Sequence, residues 1–172
     1  FAHLHNHSQF SVLQSTMSIQ TLVQAAAKNN MSAVAMTDVG NMMGAFQFVS
    51  AVMNHNKSAS AKNKEAAENG EPAVALEMKP IVGCEFYVCE NHQDKSRKDN
   101  GYQVVLLAKN KNGYHNLAKL SSIAYTQGFY YVPRIDRNVI AKYKEDIMVL
   151  SGNLYGEIPS KILNVGEHQA EE

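Results

Sequence analysis

The chain carries no excess of charge of either sign: 16 lysines and arginines face 16 aspartates and glutamates in 172 residues. Strong nucleic-acid binding by phosphate neutralisation needs a positive excess, so the chain as a whole is not built for it, and only a local basic patch could serve. Cysteine is scarce. Cys84 and Cys89 are too few for a disulfide framework or a complete zinc site, and a reducing cytoplasm is the expected compartment. No apolar run approaches the ~20 residues that span a bilayer, and no signal-peptide pattern opens the chain. Internal repeats and low-complexity tracts are also missing. The sequence opens at Phe1 rather than at methionine and stops at Glu172 inside a helix-like pattern, so both ends are expected to be boundaries within a longer chain.

What is present is one domain's length of ordinary globular composition, 45% apolar and 19% charged. Phe1 to His5 reads as a short strand that delivers histidines to its end. Ser18 can cap a helix whose apolar positions, Ile19, Leu22, Val23, Ala26 and Ala27, recur at helical spacing, with Asn29 and Asn30 ending it. Ser32 to Thr37 is a small buried strand. Met42 to about Met53 is a second helix with Phe46, Val49 and Met53 on one stripe. Residues 54–73 are rich in Lys, Asn, Ala and Glu and read as an insertion or a helix extension on the surface. Ile81 to Val88 is the strongest strand signal. A polar loop, expected to be mobile, follows at 91–101. Gln103 to Ala108 is a strand. Gly113 to Tyr125 is a helix with Leu117, Leu120, Ile123 and Ala124 inward, Asp136 caps another, and Ile147 to Ser151 is a strand ending at Gly152. The alternation argues for a parallel α/β arrangement, as a closed barrel or an open sheet, with its reactive site at the carboxyl ends of the strands.

Three of the seven histidines fall in the first seven residues: His3, His5 and His7. Residues i and i+2 of a strand share a face at roughly 6.5 Å spacing, so two imidazoles can converge on one Zn, Mn or Fe ion. The other reading is surface histidines or part of a tag. Asp38, directly after a short apolar strand, suits either a site or the cap of the next helix. Glu85 interrupts an apolar strand, which is costly unless the carboxylate is paired or bound to metal. It shares parity with Ile81, Gly83 and Tyr87, and Gly83 is expected to leave room beside it. Cys84 then faces the core. Tyr114, Tyr125, Phe129, Tyr130 and Tyr131, with Lys109, Lys111 and Lys119 nearby, suit either single-stranded nucleic acid or, more commonly, packing beside a solvated face.

The segment FAHLHNHSQFSVL resembles the first motif of the PHP family, in the form that family takes in bacterial polymerase III alpha subunits. The resemblance continues in order through AVAMTDVGNMMGAFQF, KPIVGCEFYV, VVLLAKNKNGYHNLAKLSS, PRIDR and LSGNLYGEI. It covers the chain outside the two polar insertions, about 54–73 and 91–101. It implies one PHP domain over 1–172, a distorted (β/α)7 TIM-like barrel incomplete at its C-terminal side, with a metal cluster at one mouth. Some members are metal-dependent phosphoesterases, and some polymerase versions have 3′–5′ exonuclease activity. It places His5, His7 and Glu85 at metal-ligand positions and His3 at the motif's leading, non-ligand position.

The departures from the family pattern decide the expected function. Where the active pattern reads LDG, this chain has Leu13-Gln14-Ser15. Where it reads TDHGN, Val39 replaces the histidine. Gln103 stands where a histidine opens the fourth strand, and Asn153 where a cysteine follows Ser-Gly. The family's final Asp-x-His falls beyond Glu172. The expectation is therefore a degenerate, non-catalytic domain holding at most one weakly bound Zn, Mn or Fe. It would support the rest of the polymerase alpha subunit and dock the proofreading exonuclease subunit, with no membrane contact and weak or no DNA binding of its own. The parent would be a DNA-directed DNA polymerase. The opposing expectation, an active phosphoesterase or 3′–5′ exonuclease, requires a full set of charged ligands to activate a metal-bound water.

Overall fold

The computed structural model describes residues 1–171, which form two compact units. The first holds residues 1–36 and 43–82, the second residues 37–42 and the chain from Gly83 onward.

In the first unit, α1 (Ile19–Lys28) begins where Ser18 Oγ accepts the Thr21 N–H at 3.1 Å. It buries Ile19, Leu22, Val23 and Ala26, as the spacing predicts. It stops at Asn29, and Asn30 takes a left-handed φ of 53°, a conformation asparagine tolerates well. β1 (Ala33–Met36) pairs in parallel with the opening residues, Lys79 to Val82, of β2 (Lys79–Cys89). Phe1 to His5 forms no strand of its own. It lies beside β1 through a single ladder-like bond, Ala35 N–H to His3 O at 3.2 Å.

The second helix, α2, runs over Ala45–Glu68. The polar stretch expected as an insertion or extension is thus largely an extension of this helix. The buried stripe is Ala45, Phe48, Val52, Ala59 and Ala66, whereas Phe46 is 82% exposed and Met53 49% exposed. Phe46–Val49–Met53 and Ala45–Phe48–Val52 have the same spacing, so periodicity alone admits both and packing selects the second. The returning segment is fastened to the distal turns of α2 by amides. Asn63 Oδ1 accepts the N–H groups of Val74 and Ala75, both at 2.9 Å, and its Nδ2 donates to Ala75 O at 2.7 Å. Asn56 brackets Met78 in the same way, at 2.8 and 2.7 Å.

In the second unit β2 continues as Gly83 to Cys89 between two partners. β3 (Tyr102–Ala108) runs antiparallel to it, and β4 (Arg134–Asp136) runs parallel to it. β5 (Ile147–Leu150) pairs antiparallel with β3. The order β4-β2-β3-β5 makes an open, mixed sheet among the described residues, not the all-parallel arrangement expected. The physical reason is the 90–101 connection, which contains no helix: a parallel return needs a crossover element, while an antiparallel one needs only a loop. α3 (Lys111–Thr126) is capped by Asn110, whose Oδ1 accepts the Gly113 N–H at 3.1 Å. It lays Leu117, Leu120 and Ala124 onto a core of Cys84, Phe86, Val88, Leu106, Ile135 and Ile147. Three further helices follow: α4 (Arg137–Tyr143), α5 (Glu157–Asn164) and α6 (Glu167–Glu171).

Candidate metal centre

Two histidines meet in the first unit. Asn6 Nδ2 donates to Ala35 O at 3.0 Å and to His3 O at 3.1 Å, tying the opening segment to the end of β1. Ser15 Oγ donates to His7 O at 2.9 Å and closes the following turn. Between these ties the half-buried rings of His5 and His7 stand edge to face, 5.1 Å between centroids and 77° between planes. His3 is exposed and packs edge-on against Phe1. Gln14 is exposed in the turn beyond Leu13, itself left-handed at φ 66°.

Two carboxylates are buried in the second unit, Asp38 at 0% and Glu85 at 1% exposure. The backbone carries them together. Glu85 N–H donates to Asp38 O at 3.0 Å, and Gly40 N–H donates to Glu85 O at 2.7 Å, so residues 38–40 run as a short parallel bridge along Glu85. Gly40 is left-handed at φ 69°. Val39 sits at the centre of that bridge, opposite Glu85. Asp38 does not cap α2, whose N-cap is Gly44 without a side-chain hydrogen bond. Gly83 does not open a space either: a Cβ there would meet Leu106 O and Leu107 Cδ2 at 2.6 Å and Thr37 Cγ2 at 2.8 Å. The buried Cys84 thiol is pushed well up in pKa by burial, then by the charges of Asp38 and Glu85. Burying carboxylates this fully demands compensation by hydrogen bonds, a proton or a cation.

Gln103 and Asn153 are placed differently from each other. Gln103 faces Tyr87 across the β2–β3 pair, and its Oε1 is buried with no hydrogen-bond partner. Asn153 is exposed, and its Oδ1 accepts the Tyr155 N–H at 2.8 Å in the turn that leads to α5. His5 and His7 offer two imidazoles in the first unit, and Glu85 offers a buried carboxylate in the second. Such a donor set suits a transition ion better than calcium or magnesium.

Sequence reasoning missed the most buried cation, Arg134, at 0% exposure. Its Nε donates to Gly128 O at 3.1 Å and its Nη1 to Asp99 O at 2.8 Å. Its Nη2 donates to His92 O at 3.2 Å and to Asp94 O at 2.8 Å. The loop expected to be mobile is therefore gathered around a guanidinium. His92 adds a second fastening through Asp136. The signal available was the PRIDR run itself, since a strand carrying charges on both sides of one isoleucine must find partners for them.

The family described as PHP domain matches residues 3–172. The DNA polymerase III subunit alpha of Borreliella burgdorferi is 39% identical over 167 residues, covering 95% of this chain and 13% of that protein. The subunit of the same name from Treponema pallidum is 39% identical over 176 residues, covering 100% of this chain and 13% of its own length. The chain thus spans about an eighth of these relatives. A solved structure from Bifidobacterium adolescentis, described as a metal-dependent phosphoesterase, is 18% identical over 72% of this chain and 34% of its own, with a TM-score of 0.38. A likeness that loose carries no argument about chemistry. Among the described residues no helix is long and apolar enough to cross a membrane.

Proposed function

This chain belongs to the PHP domain family, and from that premise we propose that it is a degenerate, non-catalytic PHP module of a replicative DNA polymerase alpha subunit. The parent's activity would be DNA-directed DNA synthesis in the cytoplasm, carried by regions outside this chain. The module's partners would be the rest of the alpha subunit and the proofreading exonuclease subunit. Its sheet would be the beginning of a distorted (β/α)7 barrel that later segments complete.

One observation carries the non-catalytic reading: Val39 holds the backbone place opposite Glu85 where an active member of the family would present a ligand histidine. A valine cannot coordinate. The amides Gln14, Gln103 and Asn153 are neutral where charge or a strong donor is needed, and Asn153 spends its oxygen on a turn. His5, His7 and Glu85 remain competent and would hold one divalent ion together. Bound there, such an ion would supply positive charge and acidify a water. The chain's own contribution is to keep the imidazoles half-buried on the Asn6–Ser15 ties and the carboxylate buried on β2.

The test is hydrolysis of p-nitrophenyl phosphate and of a DNA 3′ end with added Mn or Zn. Rates at background are expected for the wild-type chain. Metal-dependent turnover that vanishes in His5→Ala and Glu85→Ala would establish the phosphoesterase reading instead.

A further inference from the structure

The second unit exposes an aromatic tract that the metal reading does not use. On the last turns of α3 and just beyond, the rings of Tyr125 and Phe129 stack at 6.1 Å with 19° between planes. They are 45% and 48% exposed. Two residues on, Tyr131 is 63% exposed and holds a left-handed φ of 64°. That turn is closed by Tyr130 N–H to Val132 O at 3.2 Å. Glycine would adopt this backbone at least cost. A tyrosine there instead pays a conformational penalty to hold a flat ring in water, and such strain gathers at functional positions.

The tract is braced from behind and charged at its rim. Tyr130 packs against Tyr131 at 4.7 Å, and the carbonyl-bound guanidinium of Arg134 lies 5.4 Å from its ring centroid. Lys98 Nζ sits 5.1 Å over the Tyr131 ring. Two acids near Lys98 in the chain accept local backbone N–H groups, Asp94 from Ser96 at 2.8 Å and Asp99 from Gly101 at 2.9 Å. Lys98 thus places one positive charge directly over the Tyr131 ring.

We propose that Tyr125, Phe129 and Tyr131, with Lys98, form a stacking platform for the bases of single-stranded nucleic acid. Every base has a π-face, so exposed rings with an adjacent cation bind single strands with little sequence preference. A duplex keeps its bases stacked on one another and cannot use the rings. Because the chain has no net positive charge, affinity would rest on stacking more than on counterion release, and the dependence on salt would be shallow. The proposal goes beyond the scaffold reading and needs no metal.

The experiment is fluorescence anisotropy of a labelled oligothymidylate titrated with the whole chain in EDTA, which separates this binding from any metal-dependent event. A duplex of equal length and a proline-rich peptide are run alongside. Saturable binding of the single strand is expected, with the duplex at least several-fold weaker and the peptide inert. Phe129→Leu and Tyr131→Gly should each weaken binding by roughly tenfold, the loss of about one stacked base. Tyr131→Gly suits the left-handed backbone, so its effect cannot be ascribed to a lost fold, and circular dichroism checks both variants. Absence of single-strand binding would overturn the proposal. So would equal affinity for duplex, indifference to both substitutions, or capture of the peptide in place of the oligonucleotide.

Discussion

His92 Nδ1 and Asp136 Oδ2 meet at 2.5 Å with both side chains buried. The same carboxylate serves three groups. Oδ2 also accepts the His92 backbone N–H at 3.3 Å, and Oδ1 accepts the Val139 N–H at 2.9 Å at the start of α4. One aspartate thus anchors the 91–101 loop and begins a helix.

That arrangement makes stability depend on acid. Burial alone would raise the Asp136 pKa, but the hydrogen bonds from His92 and Val139 outweigh it and hold the carboxyl below its usual value. The native chain therefore binds this proton less readily than the unfolded chain. The contribution is fully present above about pH 3.9, the ordinary aspartate value, and is lost as pH falls toward the lower native value. Urea midpoints should drop more steeply in that window for the wild type than for Asp136→Asn. Parallel curves would refute the assignment.

Arg134→Met should destabilise the chain by about 3 kcal/mol, since it leaves buried carbonyls without their donor. The carbonyls of Gly128, Asp99, His92 and Asp94 all lose a bond. Arg134→Lys should recover little of this, because an ammonium cannot span four acceptors as a planar fork does. Denaturant titration measures both. A fully stable lysine variant would show that charge, not fork geometry, holds the loop.

Asn63→Ala should cost about 1–3 kcal/mol and release the segment at 72–76, where Asn63 makes three backbone hydrogen bonds. Proteolysis after Glu77 by a glutamate-specific protease should then be faster than in the wild type. Unchanged cleavage would mean that packing under Ala59 and Ala66 suffices.

Titration with Mn or Zn should show no more than one ion per chain, lost in His5→Ala and in Glu85→Gln. Val39→His should tighten it by roughly tenfold, a gain of about 1.4 kcal/mol from one added imidazole. The backbone of residues 38–40 is already bonded to Glu85, so the substitution need not rebuild the chain there. Two tightly bound ions in the wild type would overturn the single-ion reading.

The helices were largely legible because their signals are local. Ser18, Asn110 and Asp136 cap by side-chain oxygens that need no tertiary context, although only Ser18 and Asp136 read plainly as caps. The inward positions Leu117, Leu120 and Ala124 followed from period alone. The failures were tertiary. Nothing local chooses between Phe46 and Phe48 as the buried ring of α2. Strand direction was misread because alternating elements suggest crossovers, and the loop after Cys89 supplies none. At the site, the resemblance marked His5, His7 and Glu85, but it could not show that Asn153 is committed to a turn. Arg134 was missed because its partners are main-chain carbonyls, which leave no mark in a sequence.

β2 takes its partners from very different distances along the chain. Val88 pairs with Tyr102 across a short loop, whereas Ala33 pairs with Lys79 and Tyr87 with Arg134, each more than three times as far apart in sequence. Closing the longer loops costs about 1 kcal/mol more in chain entropy, so the antiparallel hairpin is expected to form before the parallel edges. The hairpin's loop then waits for a cation it does not contain: Arg134 arrives only with β4. Order in that loop is consequently a reporter of late folding, and a probe placed at Lys95 would register completion of β4 rather than the birth of β2.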